Sequence, residues 1–265
     1  MRIRARLATA ARPPWVWAVG GMVLGVLLSV LLFAPARWVA AAVRQASGGQ
    51  VLLENARGTV WSGSAQLTLT GGAGSVDVAT LPSRLGWALR PGLTGFAVRL
   101  EASCCMAQPW ALRLEPRWGG LHLNVSDSPS TWPAQMLAGL GTPFNTVAPQ
   151  GQLALTTQGL TLNWAAGRVQ MTGLAQLDVQ DLSSRLSTLR PMGSYRVTLS
   201  GGAAPELLLA TLQGGLQLSG RGQWLGGKFR FVGEASSAPE HQLALSNLLN
   251  IIGRRDGARS IMKIG

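Results

Sequence analysis

The stretch Gly58-Thr59-Val60-Trp61-Ser62-Gly63 sets one indole among residues with little side chain, and it leads into the alternating run Gln66-Leu67-Thr68-Leu69-Thr70. The hexapeptide has two readings. In an enzyme it would be a phosphate cradle or a nucleophile elbow centred on Ser62. An elbow needs G-x-S-x-G, and no small residue stands two positions before this serine. In a β-protein it is a strand whose one large side chain plugs a core. The run that follows decides for β, because successive side chains of a strand point to opposite faces and leucines at every second position give one apolar and one polar face. Read as a strand, the hexapeptide places Thr59 and Trp61 on one face and Val60 and Ser62 on the other. Trp61 is then expected as a core plug near the start of a sheet, with Trp87 as its companion and Trp164 in the same core.

Working outward, the period of two persists. Leu112/Leu114, Leu121/Leu123/Val125, Leu153/Leu155, Leu160/Leu162/Trp164, Val169/Met171, Leu177/Val179, Tyr195/Val197/Leu199, Leu207/Leu209, Leu216/Leu218 and Phe229/Phe231 all alternate with polar or small residues, as does Val76/Val78. Gly71-Gly72, Gly119-Gly120, Gly201-Gly202, Gly214-Gly215 and Gly226-Gly227 fall between these runs at spacings suited to hairpins. The pattern predicts a meander of short strands with one wet face. Helical segments interrupt it: Arg37 to Ser47, Thr131 to Leu140, and Glu240 to Ile252 with Gly253 as its stop. Gln180 to Leu189 reads equally as a helix or an irregular loop.

Ahead of the sheet, Trp15 to Ala34 is a run of twenty residues without a charge. As a helix it would span ~30 Å, the thickness of a bilayer's hydrocarbon layer. Arg2, Arg4, Arg6 and Arg12 precede it with no acid among them, which favours a cytoplasmic N-terminus, and Trp15, Trp17 and Trp38 stand where interfacial aromatics are expected. A cleaved signal peptide is the rival reading, with Ala34-Pro35-Ala36 as its small-x-small site. The apolar run exceeds the ~7 to 15 residues of such a signal, so an uncleaved anchor is favoured. The expected organisation is a basic cytoplasmic segment over 1–14, a transmembrane helix over 15–34, a juxtamembrane helix and linker over 35–50, and a β-rich domain outside the cytoplasm over 51–265. The fold class is therefore mainly β: one N-terminal membrane helix, then a curved, mostly antiparallel sheet with a few short helices and a C-terminal amphipathic helix.

The formal charge is +12, from 23 basic and 11 acidic residues. Setting aside the four N-terminal arginines leaves 19 basic against 11 acidic, spread singly through strand-like segments. Only Arg254, Arg255, Arg259 and Lys263 cluster, around Asp256, and they are candidates for contact with a partner or a membrane. No basic stripe interleaved with aromatics points to nucleic acid. An anionic membrane surface or an acidic partner is the better complement.

Cys104 and Cys105 are neighbours. A trans peptide holds their Cα atoms ~3.8 Å apart, closer than the ~4.4 to 6.8 Å of ordinary disulfides. A strained bond between them, pairing with another chain, and two unbonded thiols all remain open. The search for catalytic chemistry otherwise finds little. His122 alternates within a strand, His241 opens the last helix, and Asp178 and Asp181 make a weak carboxylate pair. No zinc spacing, phosphate loop or dinucleotide fingerprint occurs, so no catalytic, cofactor or metal residue is assigned and an enzyme is not expected.

Several segments together resemble one family. A short basic N-terminus and an apolar helix are followed by GTVWSG, LPSRLGWALRPGL, GQLALTTQGLTLNW, MGSYRVTLSGG, LQGGLQLSGRGQW and LSNLLNIIGRRDGARSIMKIG. In order and spacing they are similar to the type II secretion system protein N family. The resemblance implies a single-pass protein of the Gram-negative inner membrane with its bulk in the periplasm. It further implies a non-catalytic accessory role beside the platform subunits or the secretin of the apparatus that exports folded proteins. The chain is also similar to AsmA-like envelope proteins, whose curved sheets carry apolar grooves, and this implies a lipid as the alternative partner.

Overall fold

The computed structural model describes residues 15–265 except 73, 166, 167, 226 and 227. The basic segment 1–14, with its four arginines, and the turn Gly226-Gly227 lie outside the described residues. The chain divides into two compact units that meet in sequence between Ala34 and Pro35.

In the first unit, α1 (Trp15–Phe33) is 19 residues long, uncharged, and buries none of its side chains. Its length of ~28 Å and its composition are those of a candidate membrane span.

In the second unit, fifteen strands among the described residues form one sheet. They are β1 (Val51–Gly58), β2 (Ser62–Thr70), β3 (Val78–Pro91), β4 (Phe96–Ala102), β5 (Trp110–Arg117), β6 (Gly120–Val125), β7 (Ser130–Pro133), β8 (Gln150–Ala165), β9 (Arg168–Ser183), β10 (Gly193–Ser200), β11 (Glu206–Gly214), β12 (Leu216–Leu225), β13 (Lys228–Ser237), β14 (Arg254–Asp256) and β15 (Arg259–Ile264). Neighbours in sequence are neighbours in the sheet, with two exceptions: β7 flanks β8 off the main path, and β15 rather than β14 pairs with β13. Every pairing is antiparallel, the arrangement that tight glycine turns permit without crossovers.

The alternation of leucines fixes the register. Phe96 pairs with Leu114, Leu114 with Leu123, Leu123 with Leu162 and Leu162 with Met171. Leu155, Leu177, Val197 and Leu209 form a second such row. Directly paired residues share a face, so these rows join into one apolar surface.

The strands are longer than the sequence suggests. The runs around Leu153 and Leu160 belong to one 16-residue strand, β8, and those around Val169 and Leu177 to another, β9. The phase of the alternation slips between them at a bulge from Gln158 to Thr161. There Gly159 and Gly173 adopt φ of +55° and +83°, and a Cβ on Gly173 would run into the backbone of Gly159. A bulge of this kind inserts an extra residue and tolerates few side chains, which reads in the sequence as the end of one strand and the start of another. Val76 does not join Val78 in β3 but lies 93% exposed in the turn before it.

Three short helical regions cover parts of the sheet. The amphipathic α2 (Arg37–Ala46) lays Val39 against Ala65 and Trp87. Thr131 to Leu140 is not one helix: Ser130–Pro133 adds as β7 to β8, and a 3-10 helix, Ala134–Leu140, follows, seating Met136 on Leu81 and Ala102. A single turn, α3 (Phe144–Val147), continues it. The stretch from Gln180 splits likewise, with β9 running to Ser183 and a loop beyond. Finally α4 (Gln242–Ile252) buries Leu245, Leu248 and Leu249 against Met192, Tyr195, Leu216 and Ala235 in the largest core cluster.

Candidate functional site

Gly58 to Gly63 proves to be a hairpin tip rather than a strand. β1 ends at Gly58, β2 begins at Ser62, and the turn closes through Thr59 N–H to the Ser62 carbonyl at 2.8 Å and Ser62 N–H to Thr59 Oγ1 at 3.1 Å. The two-sided alternation expected for Thr59 to Ser62 therefore does not exist, and Trp61 is half-buried at the turn. The core position beneath the tip is held by Trp87 of β3, 8% exposed, whose Nε1–H donates to the Val60 carbonyl at 3.2 Å. Trp164, expected in the core, is 59% exposed at the end of β8, where the hairpin extends past the apolar rows.

Around Trp87 the apolar face deepens into a cavity of about 320 Å³. Val39 and Val43 of α2 form its roof, and Leu53, Leu85, Leu89 and Leu100 of β1, β3 and β4 its floor. All eleven residues that line it are hydrophobic, so it offers no hydrogen-bond partner to a polar ligand and suits a hydrocarbon chain.

The four clustered cations lie in a hairpin rather than a tail. Arg254–Asp256 forms β14, Asp256 pairs with Arg259, and the turn uses Gly257 at φ +60°. Arg254, Arg255, Arg259 and Lys263 are all exposed. Arg259 Nε lies 3.3 Å from Glu234 Oε1 on β13, so part of the cluster is spent on tying the hairpin to the sheet. The signal for this hairpin was present as Gly257, since glycine is favoured at the first of the two loop residues, here Gly257-Ala258 between the paired Asp256 and Arg259.

Cys104 and Cys105 are bonded to each other in the β4–β5 connection. Cys105 is 5% exposed and packs in the cluster with Leu81 and Met136, and its carbonyl accepts from Thr131 N–H at 2.7 Å. Cys104 faces outward.

The titratable groups singled out in the sequence do not converge. His122 hydrogen-bonds Asn163 on the neighbouring strand, and His241 packs its ring beside Gly215. Asp178 is apart from Asp181 in function: its two carboxylate oxygens accept from Arg196 Nε and Nη2 at 2.7 and 2.8 Å, and that bidentate hydrogen bond holds its carboxyl below the usual carboxylate range. Burial pushes the Tyr195 hydroxyl up, while that hydroxyl donates to the Leu216 carbonyl at 3.1 Å. Among the described residues no group of three or more His, Cys, Asp or Glu side chains could hold a metal ion.

An antiparallel meander with an apolar face and helices laid across parts of that face, preceded in the sequence by a candidate membrane span, defines the class of protein by its architecture. The chain belongs to the type II secretion system protein N family, whose model matches residues 49–262. The match begins after α2 and takes in the sheet from β1 into β15, ending two residues before that strand does. No curated protein and no solved structure matches the chain. The family is one of secretion-apparatus components, so the chain takes part in type II secretion in association with other components of that system.

Proposed function

We propose that the protein is a non-enzymatic accessory component of the apparatus, held in the inner membrane by α1 and contributing its sheet, in the periplasm, to assembly of the export machine. The observation that carries this reading is that the family match falls on the sheet, which supports the sheet as the part that does the family's work. The N-terminal arginines support a cytoplasmic N-terminus. Contact with platform subunits or the secretin falls to the two sheet edges, β1 and the arginine-bearing β14, since an edge strand carries unpaired backbone groups ready for another strand. Photo-crosslinking in cells, with probes along β1 and the β14–β15 hairpin of the full-length protein, tests it. Adducts to platform or secretin subunits are expected. Lipid adducts with no secretion subunit among them would overturn it.

A second reading is favoured by the cavity under α2, whose lining is wholly hydrophobic. In that reading the sheet holds or passes on a lipid, as in AsmA-like proteins, and native mass spectrometry of gently solubilised protein would find lipid bound at a fixed stoichiometry.

A further inference from the structure

Consecutive hairpins of a meander turn at alternate ends of the sheet, so the turns β1–β2, β3–β4, β5–β6, β8–β9, β10–β11 and β12–β13 all fall at one end. The 3-10 segment Ala134–Leu140, α3, α4 and the disulfide belong to connections at the other end, whereas α2 starts beside the first tip, where Ala36 N–H donates to the Gly58 carbonyl at 3.0 Å. Five of the six tips carry a large apolar side chain: Trp61, Leu93, Trp118, Trp164 and Trp224. Leu93 and Trp118 are fully exposed, Trp164 more than half and Trp224 about a third. The tips of Trp118 and Trp164 are adjacent, because Gly120 pairs with Ala165. Single exposed apolar residues are ordinary on a protein surface, but one on tip after tip along one end is not.

Charge follows the same axis. Arg90, Arg117, Lys228, Arg230 and Lys263 flank these tips and are exposed. Of the eleven acids in the chain, only Glu115 and Glu206 adjoin them, and each is ion-paired, to Arg117 at 3.8 Å and to Arg221 at 2.7 Å. The remaining nine lie in the body of the strands or in the connections at the opposite end. The chain also enters the sheet at the tip end: Pro35 bridges Thr59 of the first tip, and in sequence Pro35 follows the last residue of α1 by two.

We propose that this row of hairpin tips rests in the headgroup layer of an anionic bilayer, the tryptophans and Leu93 entering the interface and the flanking cations meeting lipid phosphates. Indole rings and leucines bordered by arginine and lysine are the side chains that a membrane interface selects, and each cation adds attraction to an anionic leaflet. A protein partner would instead want the apolar groups gathered into one closely packed patch, whereas they stand one to a tip along the sheet. The inference rests on reading α1 as a membrane anchor.

The test places a photo-crosslinking amino acid at Leu93, Trp118 or, as control, Leu243, which is 94% exposed on α4 at the opposite end. The full-length protein is reconstituted in phosphatidylcholine vesicles with and without phosphatidylglycerol. Lipid adducts at positions 93 and 118, increased by phosphatidylglycerol and lost at position 243, are expected. Retention of the protein through an alkaline wash with no lipid adducts at the tips, or with equal adducts at 243, overturns this proposal alone. Release of the protein by that wash overturns the anchor reading and this proposal with it.

Discussion

Trp87 and Trp164 occupy the same kind of sequence context, yet one is buried under α2 and the other stands clear at a tip. Truncating a buried tryptophan removes its transfer free energy and leaves a cavity, so Trp87→Ala should cost ~3 to 5 kcal/mol, whereas Trp164→Ala should stay within about 0.5 kcal/mol. Denaturant unfolding of the full chain in detergent reads both, and equal effects would contradict the burial of Trp87. Tyr195 gives a second test because it is the sole tyrosine in the chain. Its pKa in the folded state is raised by burial above the value of about 10 that it has when unfolded. A raised folded pKa means stability that is fully present below the unfolded pKa and is lost as pH rises through the folded one. Stability should therefore decline above about pH 10, and phenolate absorbance should appear only together with unfolding. In Tyr195→Phe that part of the alkaline decline should vanish, at the cost of leaving the Leu216 carbonyl without its donor. A phenolate that forms while the fold persists would show the ring to be accessible.

Among elements, those with clean alternation were legible from sequence, and those built around a glycine or proline were not. β10 and β13 read directly as strands from Tyr195/Val197/Leu199 and Phe229/Phe231. β3 is not legible in the sequence although it is 14 residues long, because Pro82 and Gly86 interrupt its pattern, and its register slips against β2 between Gln66 and Thr68. β14 and β15 were hidden by their charge: a run of arginines reads as a solvated tail unless Gly257-Ala258 is recognised as a two-residue turn. The β4–β5 connection shows what a small covalent ring contributes to an element. An ordinary disulfide stabilises by closing a loop of intervening chain, and Cys104–Cys105 closes none. Reduction by a phosphine should therefore alter stability by well under the ~2 to 4 kcal/mol of a typical disulfide, measured by denaturant unfolding with and without the reductant. A loss of that full size would mean that the ring itself holds Cys105 and Met106 against Leu81.

At the scale of the molecule, composition and period were enough for an antiparallel sheet behind an apolar helix, because both signals repeat over many residues. The surfaces were harder to read. The cavity under α2 gathers residues from α2, β1, β2, β3 and β4, a set that only the register brings together. The row of tips needs the order of the strands, since nothing in the sequence around Trp118 or Trp224 states that both lie at one end. That order bears as well on how the chain acquires its structure. Apart from the β6–β8 pairing, which spans β7, the 3-10 segment and α3, and the β13–β15 pairing, which waits for α4 and β14, each pairing on the main path joins strands consecutive in the chain. Loop closure is then short at nearly every step, and short closures favour rapid folding. A nascent chain emerging N-terminus first can thus zip up hairpin by hairpin, leaving exposed only the fixed edge at β1 and whichever strand is newest, until the β14–β15 hairpin caps the growing end.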